Sequence, residues 1–209
     1  MKTKFFLIII ILIPAVNMHV FAQVSCEQKK YKSELIAERN SKNQEFKSEA
    51  DSPLDSTAKV HFKSLKYYKP SCNWVINARL ERFNGTDTIK MKTTTERLPL
   101  YIVFGKVIFE IRGITHELTL FQNVGLMNKP GFENYLFLPF TDETNGRETY
   151  GGGRYVDVYI TDNEYVTIDF NKCYNPYCVY SKKYSCPVPP SGNYLPLKVK
   201  AGEKSFVKH

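Results

Sequence analysis

The chain has 209 residues, of which 43% are apolar and 14% are aromatic. This composition excludes a mostly disordered chain, because disordered segments are poor in aromatic residues. The formal net charge is +8, from 29 Lys and Arg against 21 Asp and Glu. Because basic and acidic residues are mixed along the chain, we expect an ordinary solvated surface and no nucleic-acid partner.

The first segment has the pattern of a secretory signal peptide. Lys2 and Lys4 precede an apolar block at residues 5–16, which is shorter than the roughly 20 residues that a membrane-spanning helix needs. We expect cleavage after Ala22, which makes residues 1–22 a signal peptide and residues 23–209 a single exported domain, periplasmic or extracellular. No later stretch reaches the roughly 18 apolar residues of a transmembrane span, so we expect none in the mature chain.

Cys26 offers a second way to process the N-terminus, by lipid attachment. Ser25 is small enough to precede a lipidated cysteine, whereas Gln23 stands where such sites usually carry an aliphatic residue. The lipid anchor is therefore the less favoured alternative.

All five cysteines follow the predicted cleavage site, and an oxidising compartment permits disulfides between them. Cys178 and Cys186 are the pair we expect to be bridged, because they enclose a short segment in a proline-rich tail. The alternative is a metal site formed by Cys173, Cys178, Cys186 and His116. Its spacing matches no standard zinc site, so we expect no metal.

Two helices are predicted before the strands begin. Residues 27–50 are polar and rich in helix formers, with Tyr31, Leu35 and Phe46 on one stripe, which indicates an exposed amphipathic helix. A second helix is expected from Ser56 to Phe62, with Ser56 as its cap and with Val60 and Phe62 packed inward.

From residue 73 onward, apolar and polar residues alternate with period two, which is typical of half-buried strands. Eight or nine short strands follow at close spacing, and Gly105 is expected to divide residues 101–111 into two of them. The pattern predicts a mainly β protein: a single antiparallel β-sandwich or barrel-like domain with an N-terminal helix.

One hairpin has a predicted register. Val156, Val158 and Ile160 should share a face with Val166, Ile168 and Phe170, which requires a connecting loop with an odd number of residues. A three-residue loop at residues 161–163 would pair Val158 with Val166, whereas the slipped register would oppose Asp157 to Asp169.

The stretch from Thr141 to Tyr155 concentrates polar groups and includes three consecutive glycines. One interpretation is a polar pocket at the end of the sheet, lined by Asp142, Glu148, Arg154, Tyr155 and Asp169. The other is a charged surface loop with a turn at Asn145-Gly146 and an ion pair between Glu148 and Arg154, since loops are generally polar.

The same stretch carries a family resemblance. The run from Leu138 to Asp142, followed by Glu148-Thr149-Tyr150-Gly151 and Gly153-Arg154-Tyr155, resembles the signature of the bacterial and archaeal family called domain of unknown function 1684. The resemblance continues through Asp169-Phe170-Asn171, Tyr174-Asn175-Pro176, Cys178 and Cys186-Pro187, over nearly the whole mature chain. It implies no particular activity, but it implies that these segments meet in space. Cys173 departs from the pattern and is therefore the expected free thiol.

Three functions are consistent with the sequence. The first is a binding module that holds a small polar ligand or an envelope glycan between Tyr150, Tyr155 and Tyr174, with Asn171 and Asn175 as further candidates. The second is an envelope hydrolase that uses Asp142, Glu148 or Asp169 as acid and base. The third is a structural role for the signature. No phosphate-binding or dinucleotide-binding motif is present, so we expect no cofactor.

Overall fold

The computed structural model describes residues 27–48, 50, 52–85 and 87–206. The chain begins with helix α1 (Gln28–Ser48), and α2 (Ser56–His61) follows. The amphipathic helix predicted near residues 27–50 is confirmed: Leu35 and Phe46 are buried and Tyr31 is half-buried, whereas most other α1 side chains are exposed. The predicted signal peptide and Cys26 lie outside the described residues.

Helix α2 differs from its prediction in two details. Its cap is Asp55, whose side chain accepts a hydrogen bond from the backbone N–H of Ala58, and not Ser56. Phe62 is buried as expected, but 79% of Val60 is exposed, because the helix ends after only six residues and buries none of its own side chains.

Eight strands follow the helices. Their bounds are β1 (Val75–Arg82), β2 (Thr88–Lys90), β3 (Leu100–Ile111), β4 (Ile114–Asn123), β5 (Tyr135–Asp142), β6 (Arg154–Tyr159), β7 (Tyr165–Asp169) and β8 (Tyr194–Leu195). Single turns of 3-10 helix lie at Cys72–Trp74, Phe170–Lys172, Tyr177–Val179 and Ser191–Asn193.

The strands form one sheet, in the order β6-β5-β4-β3-β1-β7, with β2 paired to β3 and β8 to β5. All pairings are antiparallel except that of β5 with β8. The two end strands, β6 and β7, lie close together, so the sheet is nearly closed as a barrel. The predicted fold class is therefore confirmed, in its barrel-like form.

The interior of the barrel is filled with apolar side chains. Alternate residues of each strand point inward, so that β5 and β6 contribute Leu136, Leu138, Val156 and Val158 to the main core. Their neighbours Tyr135, Phe137, Tyr155 and Asp157 consequently lie on the outer face of the same strands.

Two local predictions about the strands are wrong. Residues 101–111 form one strand and not two, because Gly105 produces a β-bulge at which the backbone of Glu81 in β1 approaches closely. The hairpin predicted between β6 and β7 is also not formed, since β6 pairs with β5 and β7 pairs with β1. Val158 and Val166 nevertheless share the inner face, as expected.

Candidate functional site

Arg154 and Asp142 form a buried ion pair. Nη2 of Arg154 lies 2.7 Å from Oδ2 of Asp142, and neither side chain is exposed to solvent. Oδ1 of Asp142 accepts the backbone N–H of Thr144 at 2.6 Å. One carboxylate oxygen therefore holds the polar loop that follows β5, and the other pairs with the first residue of β6.

The same guanidinium fixes the C-terminal segment to the barrel. Arg154 donates to the carbonyl oxygens of Val199 (2.9 Å), Ala201 (2.5 Å) and Glu203 (3.1 Å). It also lies over the ring of Phe140, with Cζ 5.4 Å from the ring centroid. Arg154 thus connects β5, β6 and the chain terminus, a structural task that leaves no face of it open to a ligand.

Asp169 and Asn171 connect β7 to the N-terminal half of the chain. The hydroxyl of Tyr31 in α1 donates to both carboxylate oxygens of Asp169, at 2.7 and 2.9 Å. The side chain of Asn171 donates to the carbonyl of Ser71 and accepts from its N–H. These polar groups dock α1 and the segment before β1 against the barrel.

Glu148 and Asn175 form contacts that are separate from the Arg154–Asp142 pair and from Asp169. Glu148 accepts a hydrogen bond from the hydroxyl of Tyr68 (3.1 Å) and approaches Lys200 at 3.9 Å, so the surface ion pair predicted between Glu148 and Arg154 is wrong. The backbone N–H of Asn175 donates to the buried carboxylate of Glu203 at 2.7 Å.

The predicted pocket of Asp142, Glu148, Arg154, Tyr155 and Asp169 is therefore not formed. Asp142 and Arg154 form an internal ion pair, and Asp169 contacts helix α1. Glu148 lies in a surface contact, and Tyr155 lines a groove. The structure also explains one residue of the glycine run. Gly153 has a φ of +92°, and a Cβ there would lie 2.6 Å from the carbonyl oxygen of Phe140.

The three cysteines of the described C-terminal part carry free thiols. The disulfide predicted between Cys178 and Cys186 is not formed, although the N–H of Cys178 donates to Sγ of Cys186 at 3.1 Å. Cys173 is free as expected, and burial raises the pKa of its thiol to about 11. Within the described ranges, no group of His, Cys, Asp and Glu could hold a metal ion.

A groove of about 570 Å³ lies on the outer face of the sheet. The strands supply its floor through Tyr101, Tyr135, Phe137, Tyr155 and Asp157, and the C-terminal segment supplies the opposite wall. We call this the tyrosine groove. Its other lining residues are Lys42, Asn123, Leu126, Lys172, Tyr174, Pro176, Tyr177, Tyr184, Ser185, Cys186 and Pro187.

The aromatic rings of the tyrosine groove pack edge to face. Tyr155 contacts Phe137 with ring centroids 4.7 Å apart and Tyr174 with centroids 5.8 Å apart. Tyr177 and Tyr184 form a second pair at 5.2 Å. Such packing fixes the orientation of the rings, so that the wall of the groove is already arranged before any ligand binds.

Asp157 is the acidic residue of this groove. The hydroxyls of Tyr135 and Tyr174 donate to its Oδ1, at 2.9 and 2.7 Å. Oδ2 accepts no hydrogen bond from the described residues, and the side chain is exposed. The groove therefore presents a positioned carboxylate oxygen that can accept a hydrogen bond from a ligand.

Burial keeps the groove tyrosines protonated. Desolvation raises the pKa of Tyr135, Tyr155 and Tyr174 above the ordinary value of a phenol, and the carboxylate of Asp157 adds to the effect at Tyr135 and Tyr174. Their hydroxyls are thus neutral hydrogen-bonding groups at any physiological pH.

Two of the residues predicted for ligand binding, Tyr155 and Tyr174, line the tyrosine groove. Their backbones are paired, each N–H donating to the other residue's carbonyl at 3.0 Å. Tyr150 lies apart from the groove, with its hydroxyl beside the Cys178 thiol. Asp157, Tyr135 and Tyr177 are not among the residues predicted from the sequence. The alternation of β6 that puts Val156 and Val158 inside the barrel puts both Tyr155 and Asp157 on its outer face.

Comparison with known proteins identifies the family. The family model described as "Protein of unknown function (DUF1684)" matches residues 60–204, more than half of the chain. The chain belongs to the DUF1684 family. The matched residues include both members of the buried ion pair, Asp142 and Arg154.

A solved structure has a similar fold. It is the solution NMR structure of the uncharacterized protein from gene locus rrnAC0354 of Haloarcula marismortui, with 29% sequence identity and a TM-score of 0.66. The likeness covers 87% of this DUF1684 chain and 97% of the other chain. No curated protein matches the sequence. In the part of the chain that the structure describes, no helix has the length and apolar character to cross a membrane.

Proposed function

We propose that this DUF1684 protein is a binding module, and that it holds a small polar ligand or a glycan in the tyrosine groove. The observation that carries the proposal is the lining of the groove: six tyrosines and a phenylalanine surround one exposed carboxylate. The volume of about 570 Å³ is in the range of small-molecule sites, which is roughly 300–1,000 Å³.

The chemistry of this lining suits a hydroxylated ligand. Aromatic rings offer flat apolar faces on which the C–H side of a sugar ring can pack, while phenol hydroxyls and Asp157 offer hydrogen bonds at the edges. The ring packing of Tyr155 with Phe137 and Tyr174 reduces the conformational freedom that would be lost on binding, which favours affinity.

Export is part of the same proposal. A signal peptide at residues 1–22 would deliver the domain to the cell envelope, where glycans are exposed.

The hydrolase alternative receives no support from the positions of its three carboxylates. Asp142 is paired with Arg154, Asp169 with the hydroxyl of Tyr31, and Glu148 with that of Tyr68. Each carboxylate serves a different contact, so the arrangement does not supply two carboxyl groups facing one substrate bond.

The proposal is tested by thermal shift and calorimetry with neutral saccharides, amino sugars and small ammonium compounds. Tyr177→Ala removes a ring that is 40% exposed and lines the groove, and Tyr194→Ala removes one that is 48% exposed and lies outside it. We expect at least one compound to bind wild type and Tyr194→Ala alike, and to bind Tyr177→Ala at least about tenfold more weakly. Binding that is equal in both variants, or no binding by any compound, would overturn the proposal.

A further inference from the structure

The charged side chains that line the tyrosine groove differ in whether they have an ion-pair partner. Three of its lining residues are charged: Lys42, Asp157 and Lys172. Both lysines are already paired with acidic residues outside the lining, Lys42 with Oε1 of Glu203 at 3.3 Å and Lys172 with Oε1 of Glu38 at 2.8 Å.

Asp157 has no such partner. Among the described residues it forms no ion pair, and its two hydrogen-bond donors are neutral phenols. The carboxylate of Asp157 is therefore an exposed negative charge in the groove that no ion pair neutralises within the described residues.

The aromatic wall adds to the attraction for positive charge. The face of a tyrosine ring attracts a cation within about 6 Å of its centroid. The structure already contains an example, since Nζ of Lys42 lies 4.9 Å from the ring centroid of Tyr174. The other tyrosine rings of the groove have the same chemistry and can contact the ammonium group of a ligand in the same way.

From this unpaired carboxylate and the tyrosine rings beside it we infer that the ligand of the tyrosine groove is an organic cation, whose ammonium group contacts Asp157 and the tyrosine rings. The inference rests on the proposed function and narrows it from polar ligands in general to those that carry an amino or a quaternary ammonium group. Amino sugars and choline-type head groups share this chemistry.

Two matched pairs of compounds test the inference, each differing in the charge alone or nearly so. Choline is compared with 3,3-dimethyl-1-butanol, which has the same shape without the charge, and glucosamine is compared with glucose. Affinities are measured by calorimetry on the mature chain at low salt, because screening weakens charge interactions. The two pairs distinguish a quaternary head group from an amino sugar.

We expect the charged member of at least one pair to bind about tenfold or more tightly than its neutral partner. Asp157→Asn keeps the shape and the oxygen that accepts the two tyrosine hydroxyls, and it should remove most of this preference. Asp162→Asn, an exposed aspartate outside the groove, should leave the preference unchanged.

The outcomes separate the two proposals. If the neutral members or neutral glycans bind equally well or more tightly, the cation inference is overturned and the groove remains a binding site. If no compound binds the wild-type chain, both proposals fail. Because the paired compounds are compared on the wild-type chain, this decision does not depend on whether a variant folds.

Discussion

Arg154 lies 2.7 Å from Asp142 in the interior of the protein, where neither side chain meets solvent. A charge in such a place is tolerated because the guanidinium has four acceptors at the ends of β5 and of the C-terminal segment. The most distinctive motif of the sequence therefore forms an internal ion pair, and neither of its two residues lines the tyrosine groove.

The first prediction concerns this buried ion pair. Arg154→Met should destabilise the fold by about 3–5 kcal/mol, because it leaves the buried carboxylate of Asp142 without its partner. Urea unfolding measures the loss. Arg147→Met, which removes an exposed arginine of the same loop, should change stability by less than about 0.5 kcal/mol. Equal stability of the two variants would contradict the structural role of Arg154.

The second prediction concerns the glycine run. Gly153→Ala should destabilise the fold by more than about 2 kcal/mol, because its φ of +92° is unfavourable for alanine and a Cβ would overlap the Phe140 carbonyl oxygen. At Gly192 a Cβ would meet no atom within 4 Å. Gly192→Ala is therefore the control and should be nearly neutral. Thermal or urea unfolding of both variants decides the matter, and a neutral Gly153→Ala would refute this explanation.

The third prediction is a pH dependence that comes from Cys173. Burial opposes the thiolate and raises the pKa of Cys173 from about 9 in the unfolded chain to about 11 in the folded chain. Above about pH 9 the unfolded state therefore binds fewer protons than the folded state, so stability falls as the pH rises, by about 1 kcal/mol between pH 8 and pH 10.

Cys173→Ala removes this contribution, and its stability should fall less steeply over the same interval in urea titrations at successive pH values. Tyrosines contribute similarly in both proteins, so the difference between the two slopes isolates the thiol. Identical slopes would show that burial does not raise the pKa of the Cys173 thiol.

Hydrophobic alternation in the sequence was sufficient to predict the fold class and the inner faces of the strands. Val158 and Val166 were correctly placed in the core, because the period of two determines which side of a sheet a residue occupies. It does not determine the neighbouring strand. The prediction of a β6–β7 hairpin was wrong for this reason, because β7 pairs with β1 in the barrel.

The candidate site was harder to predict. Charge density drew attention to Asp142 and Arg154, but only three-dimensional packing shows that they neutralise each other. Asp157 has no conspicuous sequence context, and it becomes a candidate only when Tyr174 donates to it from a segment 17 residues later. Contacts between a strand face and an irregular tail leave no periodic signal in a single sequence.

The most direct test of the central proposal is NMR of residues 23–209 with carbon-13-labelled tyrosine, during titration with choline, glucosamine and their neutral counterparts. Ring resonances of Tyr135, Tyr174, Tyr177 and Tyr184 report on the groove, and those of Tyr194 report on the surface outside it. The proposal predicts saturable shifts at the groove tyrosines with no change at Tyr194. Shifts confined to tyrosines outside the groove, or no saturable shift with any of the four compounds, would contradict it.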